Sequence, residues 1–98
     1  SPKRVKGMED IPAVAETLPG FTSEAWFGLV APASTPAATV DTLNKAVNKI
    51  LSSAEYKQEL ATSGTEPLGG TPADFAKYRS AEAAKWGDIV RAADIRLD

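Results

Sequence analysis

Apolar residues recur along this chain in short blocks separated by proline, glycine and small polar residues. Ahead of the first block, residues 1–22 contain Pro2, Pro12 and Pro19. Prolines at this density interrupt helices and strands, because each one lacks a backbone N–H and fixes its own φ angle. We therefore predict that residues 1–22 form an irregular segment, with at most one helical turn near residues 13–17.

Two short stretches are candidate strands. Residues 21–31 lie between Gly20 and Pro32 and carry a run of apolar side chains: Ala25, Trp26, Phe27, Leu29 and Val30. Aromatic and β-branched residues in so short a run favour a buried strand, although the pattern alone also fits part of a buried helix. Residues 65–68 predict a second strand. It would lie at the edge of a sheet, because Pro67 cannot donate a ladder hydrogen bond.

Two further blocks, over residues 36–63, have apolar residues at helical spacing. The first predicts a helix over residues 36–53, which begins after Thr35, a capping residue followed by proline. Ser52 and Glu55 resemble a capping box for a second, short helix that ends near Gly64.

The longest predicted helix covers residues 72–93. It follows Thr71 and Pro72, and Asp74 places a carboxylate where the helix dipole favours one. Its apolar stripe consists of Phe75, Tyr78, Trp86, Ile89 and Ala93. Glu82 falls near the centre of this stripe. We therefore predict that Glu82 is partly buried and is held by hydrogen bonds from backbone N–H groups, a Tyr or Trp, or an Arg or Lys.

The predicted order of elements is strand, helix, helix, strand, helix. This order fits a right-handed crossover between two parallel strands with a closing helix. The fold class predicted from the sequence is therefore α/β rather than a helical bundle.

The composition excludes several classes of function. No apolar run approaches the roughly 20 residues that a membrane-spanning helix needs. Eleven Lys and Arg against thirteen Asp and Glu give a net charge of -2, so nucleic acid is not an expected partner. The chain has no Cys and no His. Because the chain thus lacks a thiol nucleophile, the commonest general base and the commonest metal ligand, we predict that it is not an enzyme and carries no cofactor or metal.

Several short motifs occur in an order that is typical of one family. They are Arg4 ahead of Glu9-Asp10-Ile11-Pro12-Ala13-Val14-Ala15-Glu16, then Leu18-Pro19-Gly20-Phe21, Trp26-Phe27-Gly28-Leu29-Val30-Ala31-Pro32-Ala33-Ser34-Thr35-Pro36, and Gly64-Thr65-Glu66-Pro67-Leu68-Gly69-Gly70-Thr71-Pro72. This series resembles the C-terminal third of Bug-type periplasmic solute receptors, the binding components of tripartite tricarboxylate transporters. Two positions depart from the family's pattern: Ala13 stands where Thr is common, and Ser34 where Gly is common.

The resemblance implies a full receptor about three times this length, in which two α/β lobes of a periplasmic binding protein close around a small carboxylated solute. Such a receptor would deliver its solute to membrane transporter subunits. Residues 1–22 would leave the second lobe, and residues 23–98 would complete the first lobe. The alternative is a stand-alone protein-interaction module that uses an exposed sheet edge or apolar face.

The candidate solute-binding residues are Trp26 and Phe27, which could line the cleft between the lobes. The competing interpretation places both in the core, because buried aromatic residues dominate packing in a small domain. The helix starts at Thr35 and Thr71 offer free backbone N–H groups to an anion, although most helix starts bind none. For Glu82 a structural role is expected, since no His, Cys or second carboxylate lies on its face of the helix.

Overall fold

The computed structural model describes residues 1–96. Within that range the chain forms four helices: α1 Val14–Thr17, α2 Ala37–Ser52, α3 Ala54–Thr62 and α4 Pro72–Ala92. No strand forms in these residues. The predicted α/β fold is therefore wrong, and the described chain is helical with irregular connections. The single helical turn predicted near residues 13–17 is confirmed by α1.

Both predicted strands, residues 21–31 and 65–68, are irregular segments in the structure. A strand exists only through hydrogen bonds to a neighbouring strand, and these segments do not pair. Within the described part of the chain, no backbone N–H of residues 24–31 donates to another backbone group. The two segments also expose apolar side chains, with Phe27 at 93% and Leu68 at 75%. The apolar and β-branched composition of residues 21–31 therefore indicated a strand for which residues 1–96 provide no partner.

Helices α2 and α3 form where the periodicity predicted them, with their starts shifted by one residue. Pro36 rather than Thr35 is the N-cap of α2, and it makes no side-chain capping bond. Ser53 rather than Ser52 caps α3, and its hydroxyl accepts a hydrogen bond from the Tyr56 N–H at 3.3 Å. The two helices are in contact. Each carries half-buried apolar residues, which are Val47 and Leu51 on α2 and Tyr56 and Leu60 on α3.

The loop after α3 turns at Gly64, as the sequence predicts. Gly64 has φ +65°, in the left-handed region where a side chain is unfavourable. The N–H of Thr65 donates back to the carbonyl of Leu60 at 3.0 Å, which satisfies one of the free carbonyls at the end of the helix. This turn ends α3 and sends the chain towards α4.

Helix α4 begins at the predicted cap and proline, Thr71 and Pro72, and Thr71 forms a capping box with Asp74 that the sequence analysis did not predict. The Thr71 hydroxyl accepts from the Asp74 N–H at 3.1 Å, and the Thr71 N–H donates to the Asp74 carboxylate at 2.9 Å. Phe75 and Tyr78 are half-buried as predicted. The predicted burial of Trp86 is wrong, because 39% of this residue is exposed. The apolar stripe of α4 is therefore half-buried at Phe75 and Tyr78, in the first half of the helix, and exposed at Trp86, in the second half.

Asn48 of α2 holds the loop that precedes α4. Its side-chain carbonyl accepts from the Gly70 N–H at 2.9 Å, and its side-chain amide donates to the Gly70 carbonyl at 2.8 Å. Asn44 donates to the same carbonyl at 2.9 Å. Gly69 has φ +63°, and a Cβ added there would lie 2.7 Å from the Asn48 oxygen. The paired amide groups therefore fix the position at which α4 begins.

The described residues do not enclose a hydrophobic core. None of them is fully buried, and the chain exposes 8270 Å². A compact monomer of 10.3 kDa exposes about 5,400 Å². The radius of gyration is 16.6 Å, whereas about 13 Å is typical of a chain of this length. The chain therefore leaves far more surface open than a self-sufficient domain of its mass.

Candidate functional site

The first candidate residue, Trp26, lies at the junction of the irregular segment and α4. Its ring makes edge-to-face contacts with Phe75, at a centroid distance of 5.8 Å, and with Tyr78, at 5.6 Å. Such contacts stabilise aromatic pairs beyond the apolar area that they bury. We define the aromatic cluster as Trp26 and four residues of α4: Phe75, Tyr78, Glu82 and Trp86.

Glu82 is the charged member of the aromatic cluster, and its predicted environment is confirmed. Its side chain is 14% exposed. One carboxylate oxygen accepts from the Lys85 ammonium at 2.6 Å, and the other accepts from the Trp86 indole N–H at 2.9 Å. The partners are thus a Lys and a Trp side chain, two of the donor types predicted for Glu82. A carboxylate held in this way has both oxygens occupied by donors of its own helix.

The electrostatics of the cluster follow from these contacts. The pKa of Glu82 lies below its ordinary value, chiefly because Lys85 donates a hydrogen bond to the carboxylate. The Trp86 and Trp26 indoles act in the same direction, while partial burial opposes them. The pKa of Tyr78 is raised by burial first and then by the nearby negative charge of Glu82. Neither shift moves a group into the neutral range where a general acid or base works best.

Lys85 makes a second contact, with the ring of Trp86. Its ammonium nitrogen lies 5.1 Å from the ring centroid, within the range of a cation–π interaction. Each of Glu82, Lys85 and Trp86 therefore contacts the other two on one face of α4. The ammonium group is also part of the ion pair with Glu82, so it is not free to attract an anionic solute.

Phe27, the second candidate residue, is separated from the cluster by the direction of its side chain. It is 93% exposed, while the neighbouring Gly28 lies directly against α4. A Cβ added to Gly28 would lie 2.3 Å from the Phe75 ring, so only glycine fits this approach. In the sequence, Gly28 is distinguished only as part of the motif Trp26-Phe27-Gly28. Its contact role depends on a residue of α4 far along the chain.

The two helix starts considered for anion binding differ from each other. At α4 the Asp74 carboxylate already accepts from the Thr71 N–H and from the Thr71 hydroxyl, at 2.9 and 2.6 Å. The Asp74 carboxylate therefore already occupies the N-terminus of α4, where an anion would bind. The first turn of α2 carries no acidic residue. The sequence predicts no anion at α2 in particular, since most helix starts bind none.

A separate ion pair organises the irregular N-terminal segment. The Arg4 guanidinium donates two hydrogen bonds to the Glu16 carboxylate, both at 2.7 Å, and a third to the Glu9 carbonyl at 2.8 Å. The Ala13 N–H also donates to Glu16, at 3.0 Å. These bonds hold the pKa of Glu16 at about 2, chiefly through Arg4. The motif residues Arg4 and Glu16 are therefore brought together to shape the segment around α1.

The described residues offer no arrangement typical of catalysis or metal binding. Residues 1–96 contain no group of three or more acidic, Cys or His side chains that could hold a metal ion. In the same range, no helix combines the length and apolar character that crossing a membrane requires. What the structure does provide is an aromatic cluster on one side of residues 26–28 and exposed apolar side chains on the other. This arrangement suits contacts with a further molecule or polypeptide.

Comparisons with known proteins agree on one family. A family model described as "Tripartite tricarboxylate transporter family receptor" matches residues 1–95. Among curated proteins, a UPF0065 protein from the tcbD-tcbE intergenic region of Pseudomonas sp. strain P51 is 31% identical over 85 residues, which are 85% of this chain and 25% of that protein. Protein BugT of Bordetella pertussis is 28% identical over 88 residues, which are 89% of this chain and 27% of BugT.

A third relative is a UPF0065 protein of Bordetella bronchiseptica. It is 27% identical over 93 residues, which are 95% of this chain and 28% of that protein. No solved structure matches the chain. The chain therefore spans about a quarter of the length of the curated relatives that it matches.

Proposed function

The chain belongs to the tripartite tricarboxylate transporter receptor family, and on that premise we propose that it is one part of a periplasmic receptor for a small carboxylated solute. The observation that carries this proposal is the family match over residues 1–95, which covers almost the whole chain. The family resemblance seen in the ordered motifs of the sequence is thereby confirmed. The family consists of solute-binding receptors rather than enzymes, in agreement with the absence of Cys and His from the sequence.

The remaining parts of the receptor would supply most of the solute site. The chain spans about a quarter of each relative, so about three quarters of a receptor polypeptide lies outside it. In the proposed receptor the solute is held between this region and those other parts, and the loaded protein docks on the membrane subunits of the transporter. Residues 1–22 belong to the exit from the second lobe in this arrangement, and residues 23–98 belong to the first lobe.

Trp26 and Phe27 are the residues of this chain proposed to contact the solute. Trp26 is engaged by α4 through Phe75 and Tyr78, so its role is to hold the segment in place with part of its ring near the solute. Phe27 is 93% exposed and is available for direct contact. Apolar and aromatic walls with a few polar groups are typical of small-molecule sites.

The test of the proposed function uses the complete reading frame that contains this sequence. Its product, purified and titrated calorimetrically with citrate, glutamate and related acids, is expected to bind at least one of them. The Phe27→Ala variant should weaken that binding. Leu68→Ala is the matched control, because Leu68 is also apolar and exposed, at 75%, but lies in the loop before α4. Equal affinity of the Phe27→Ala and wild-type proteins for the acid would show that Phe27 does not contact the solute.

The isolated 98-residue chain is expected to bind these acids weakly or not at all. One part of a receptor cannot enclose a solute, and enclosure provides most of the favourable contact area. An affinity tighter than about 10 μM, or about -7 kcal/mol, in the isolated chain would contradict this view of an incomplete site.

A second candidate function is a stand-alone protein-interaction module. The observation that favours it is the exposure of Phe27, Leu29 and Val30, at 93%, 72% and 74%. Large exposed apolar patches mark interaction surfaces in soluble proteins. The upstream reading frame separates the two functions: a signal peptide and a first lobe ahead of Ser1 support the receptor, whereas a native start near Ser1 supports the module.

A further inference from the structure

Glu82 continues the row of α4 side chains against which Trp26 lies. The ring of Trp26 is in edge-to-face contact with Phe75 and Tyr78, at centroid distances of 5.8 and 5.6 Å. Glu82 follows one turn after Tyr78, so both side chains are on the same side of the helix. The pKa of Tyr78 is raised by burial and next by the negative charge of Glu82. The carboxylate therefore lies beside the aromatic contact that holds Trp26.

The Glu82 carboxylate has acceptor capacity for a third donor. Lys85 donates to one oxygen at 2.6 Å and Trp86 to the other at 2.9 Å, whereas each carboxylate oxygen can accept about two hydrogen bonds. Lys85 contributes most to the lowered pKa of this carboxylate, and the indoles of Trp86 and Trp26 add to it as hydrogen-bond donors. Two donors of α4 thus fix the carboxylate, and the Trp26 indole is a donor from outside the helix.

The Glu82 carboxylate distinguishes between orientations of the Trp26 ring. Edge-to-face contacts involve the ring as a whole, and the torsion that turns an aromatic side chain has two broad minima. Trp26 is half-buried, and a buried indole N–H commonly has a hydrogen-bond partner. Only the orientation that directs the N–H to the carboxylate provides one. Phe75 and Tyr78 therefore hold the ring in place, while Glu82 selects the direction in which its N–H points.

Phe27 lies between two residues that are anchored on α4. Trp26 precedes it, and Gly28 after it is so close to Phe75 that an added Cβ would lie 2.3 Å from the ring. Phe27 itself is 93% exposed. Anchored neighbours restrict the directions that a side chain can take, and a side chain fixed beforehand loses less conformational freedom when it binds a ligand. A fixed Trp26 therefore prepares Phe27 for a contact with the solute.

We propose that Glu82 is a positioning residue of the solute site, which holds the Trp26 indole in one orientation and thereby directs Phe27 towards the solute. The inference rests on the proposed function. Glu82 does not contact the solute itself, because its side chain is only 14% exposed and donors of α4 bind both of its oxygens. Its effect on solute affinity passes through Trp26.

The test is a double-mutant cycle in the product of the complete reading frame, titrated calorimetrically with citrate, glutamate and related acids. Glu82→Leu removes every acceptor from the indole and should weaken binding by about tenfold or more, as expected for the loss of a hydrogen bond to a charged group. Trp26→Phe keeps a ring against α4 but has no N–H. In that background Glu82→Leu should change the affinity by less than about twofold, because the hydrogen bond is already absent.

Equal losses of affinity in the two backgrounds would show that Glu82 acts on the fold and not through Trp26, which would overturn the inference. Should Glu82→Leu fail to fold, Glu82→Gln takes its place in the cycle. Gln loses the charge and keeps one acceptor oxygen, so the expected loss in the Trp26 background is about threefold, because hydrogen bonds to neutral acceptors are weaker. The same comparison between backgrounds then decides.

Two control variants separate position from charge and stability. Asp88→Leu removes another carboxylate of α4 that pairs with an arginine three residues on, but this carboxylate is exposed and outside the aromatic cluster. Asn48→Ala removes the hydrogen bonds between α2 and Gly70, away from the same cluster. Both variants should retain the wild-type affinity. A loss in Asn48→Ala equal to that in Glu82→Leu would mean that stability sets the affinity, and would contradict the positioning role.

NMR of the same product with nitrogen-15-labelled tryptophan tests the orientation of Trp26 directly. The indole N–H resonance of Trp26 is assigned by its absence in Trp26→Phe. In Glu82→Leu it should shift and exchange faster with solvent, because a hydrogen bond protects the N–H, and in Asp88→Leu it should stay unchanged. A Trp26 resonance that is identical in Glu82→Leu and the wild type would overturn the inference even if Trp26→Phe abolished binding.

The titration also separates this inference from the proposed function. A wild-type product that binds none of the acids would contradict the proposed function, and the solute role of Glu82 with it. A product that binds one of them, with an affinity that Glu82→Leu leaves unchanged, would contradict this inference alone.

Discussion

Glu82 and Trp86 lie one turn apart on α4, and the indole N–H of Trp86 donates to the Glu82 carboxylate at 2.9 Å. The carboxylate therefore remains ionised on the half-buried side of a helix because donors of the same helix satisfy it. Lys85 completes the arrangement with a hydrogen bond at 2.6 Å and its charge. The two hydrogen bonds and the cation–π contact among these three residues lie within α4.

We expect Glu82→Gln to retain the helix and to lower the melting temperature. Gln keeps an acceptor for the Trp86 indole but loses the ionic attraction to Lys85 and places an N–H₂ group beside a donor. Glu82→Leu should lower the melting temperature further, because the indole and the ammonium group both lose their acceptor. Thermal unfolding followed by far-UV circular dichroism measures both. A leucine variant as stable as the wild type would show that these hydrogen bonds do not stabilise α4.

We expect Gly28→Ala to separate the irregular segment from α4. The added Cβ would lie 2.3 Å from the Phe75 ring, so one of the two elements must move. Overpacking of this kind costs about 1–3 kcal/mol. The Trp26 ring would become more exposed, and the variant should therefore show red-shifted tryptophan fluorescence and a lower free energy of unfolding.

The control for Gly28→Ala is the double variant with Phe75→Leu. Leucine is shorter than the phenylalanine ring and leaves room for the added methyl group, so part of the lost stability should return. Should the double variant be less stable by the sum of the two single effects, the two residues are not in contact, because independent sites are additive.

Asn48→Ala should destabilise the loop that leads into α4. The variant loses two hydrogen bonds to Gly70, at 2.8 and 2.9 Å, and each such bond contributes about 0.5–1.5 kcal/mol. The expected loss is thus about 1–3 kcal/mol in the free energy of unfolding, measured by urea denaturation. Asn44→Ala is the comparison: it removes one hydrogen bond to the same carbonyl and the acceptor of the 3.1 Å bond from the Asn48 amide, but leaves both bonds between Asn48 and Gly70, so it should cost less.

The pKa of Glu16 predicts that the stability of the folded N-terminal segment depends on pH. Its value of about 2 lies below the ordinary 4.5, so the folded segment binds the proton less tightly than the unfolded chain. The stabilisation of the folded N-terminal segment by the ionised Glu16 carboxylate is therefore fully present above about pH 4.5 and is lost as the pH falls towards about 2. Carbon-13 NMR titration of the Glu16 carboxyl measures the value directly.

The control for this titration is Arg4→Gln, which should raise the pKa of Glu16 towards its ordinary value. The Ala13 N–H still donates to the carboxylate in this variant, so part of the shift should persist. An unchanged pKa in Arg4→Gln would mean that the ion pair does not hold the carboxylate in solution.

The sequence by itself determined the helices and the family. Thr71, Pro72 and Asp74 specify the start of α4 within four consecutive residues, and the turn at Gly64 is equally local, so both were predicted correctly. The family follows from short motifs in a fixed order, which needs no three-dimensional information. The environment of Glu82 was also predictable, because its partners lie three and four residues away on the same helix.

The tertiary structure alone decided which apolar residues are covered and which segments pair. Residues 21–31 have the composition of a strand, but strand formation depends on hydrogen bonds to residues distant in sequence, and none is available in the described chain. The contact of Gly28 with Phe75 and the pairing of Asn48 with Gly70 join residues that lie 47 and 22 positions apart. The exposure of Trp86 has the same cause: helical periodicity identifies the face that a helix would bury, whereas burial requires a second element that reaches it.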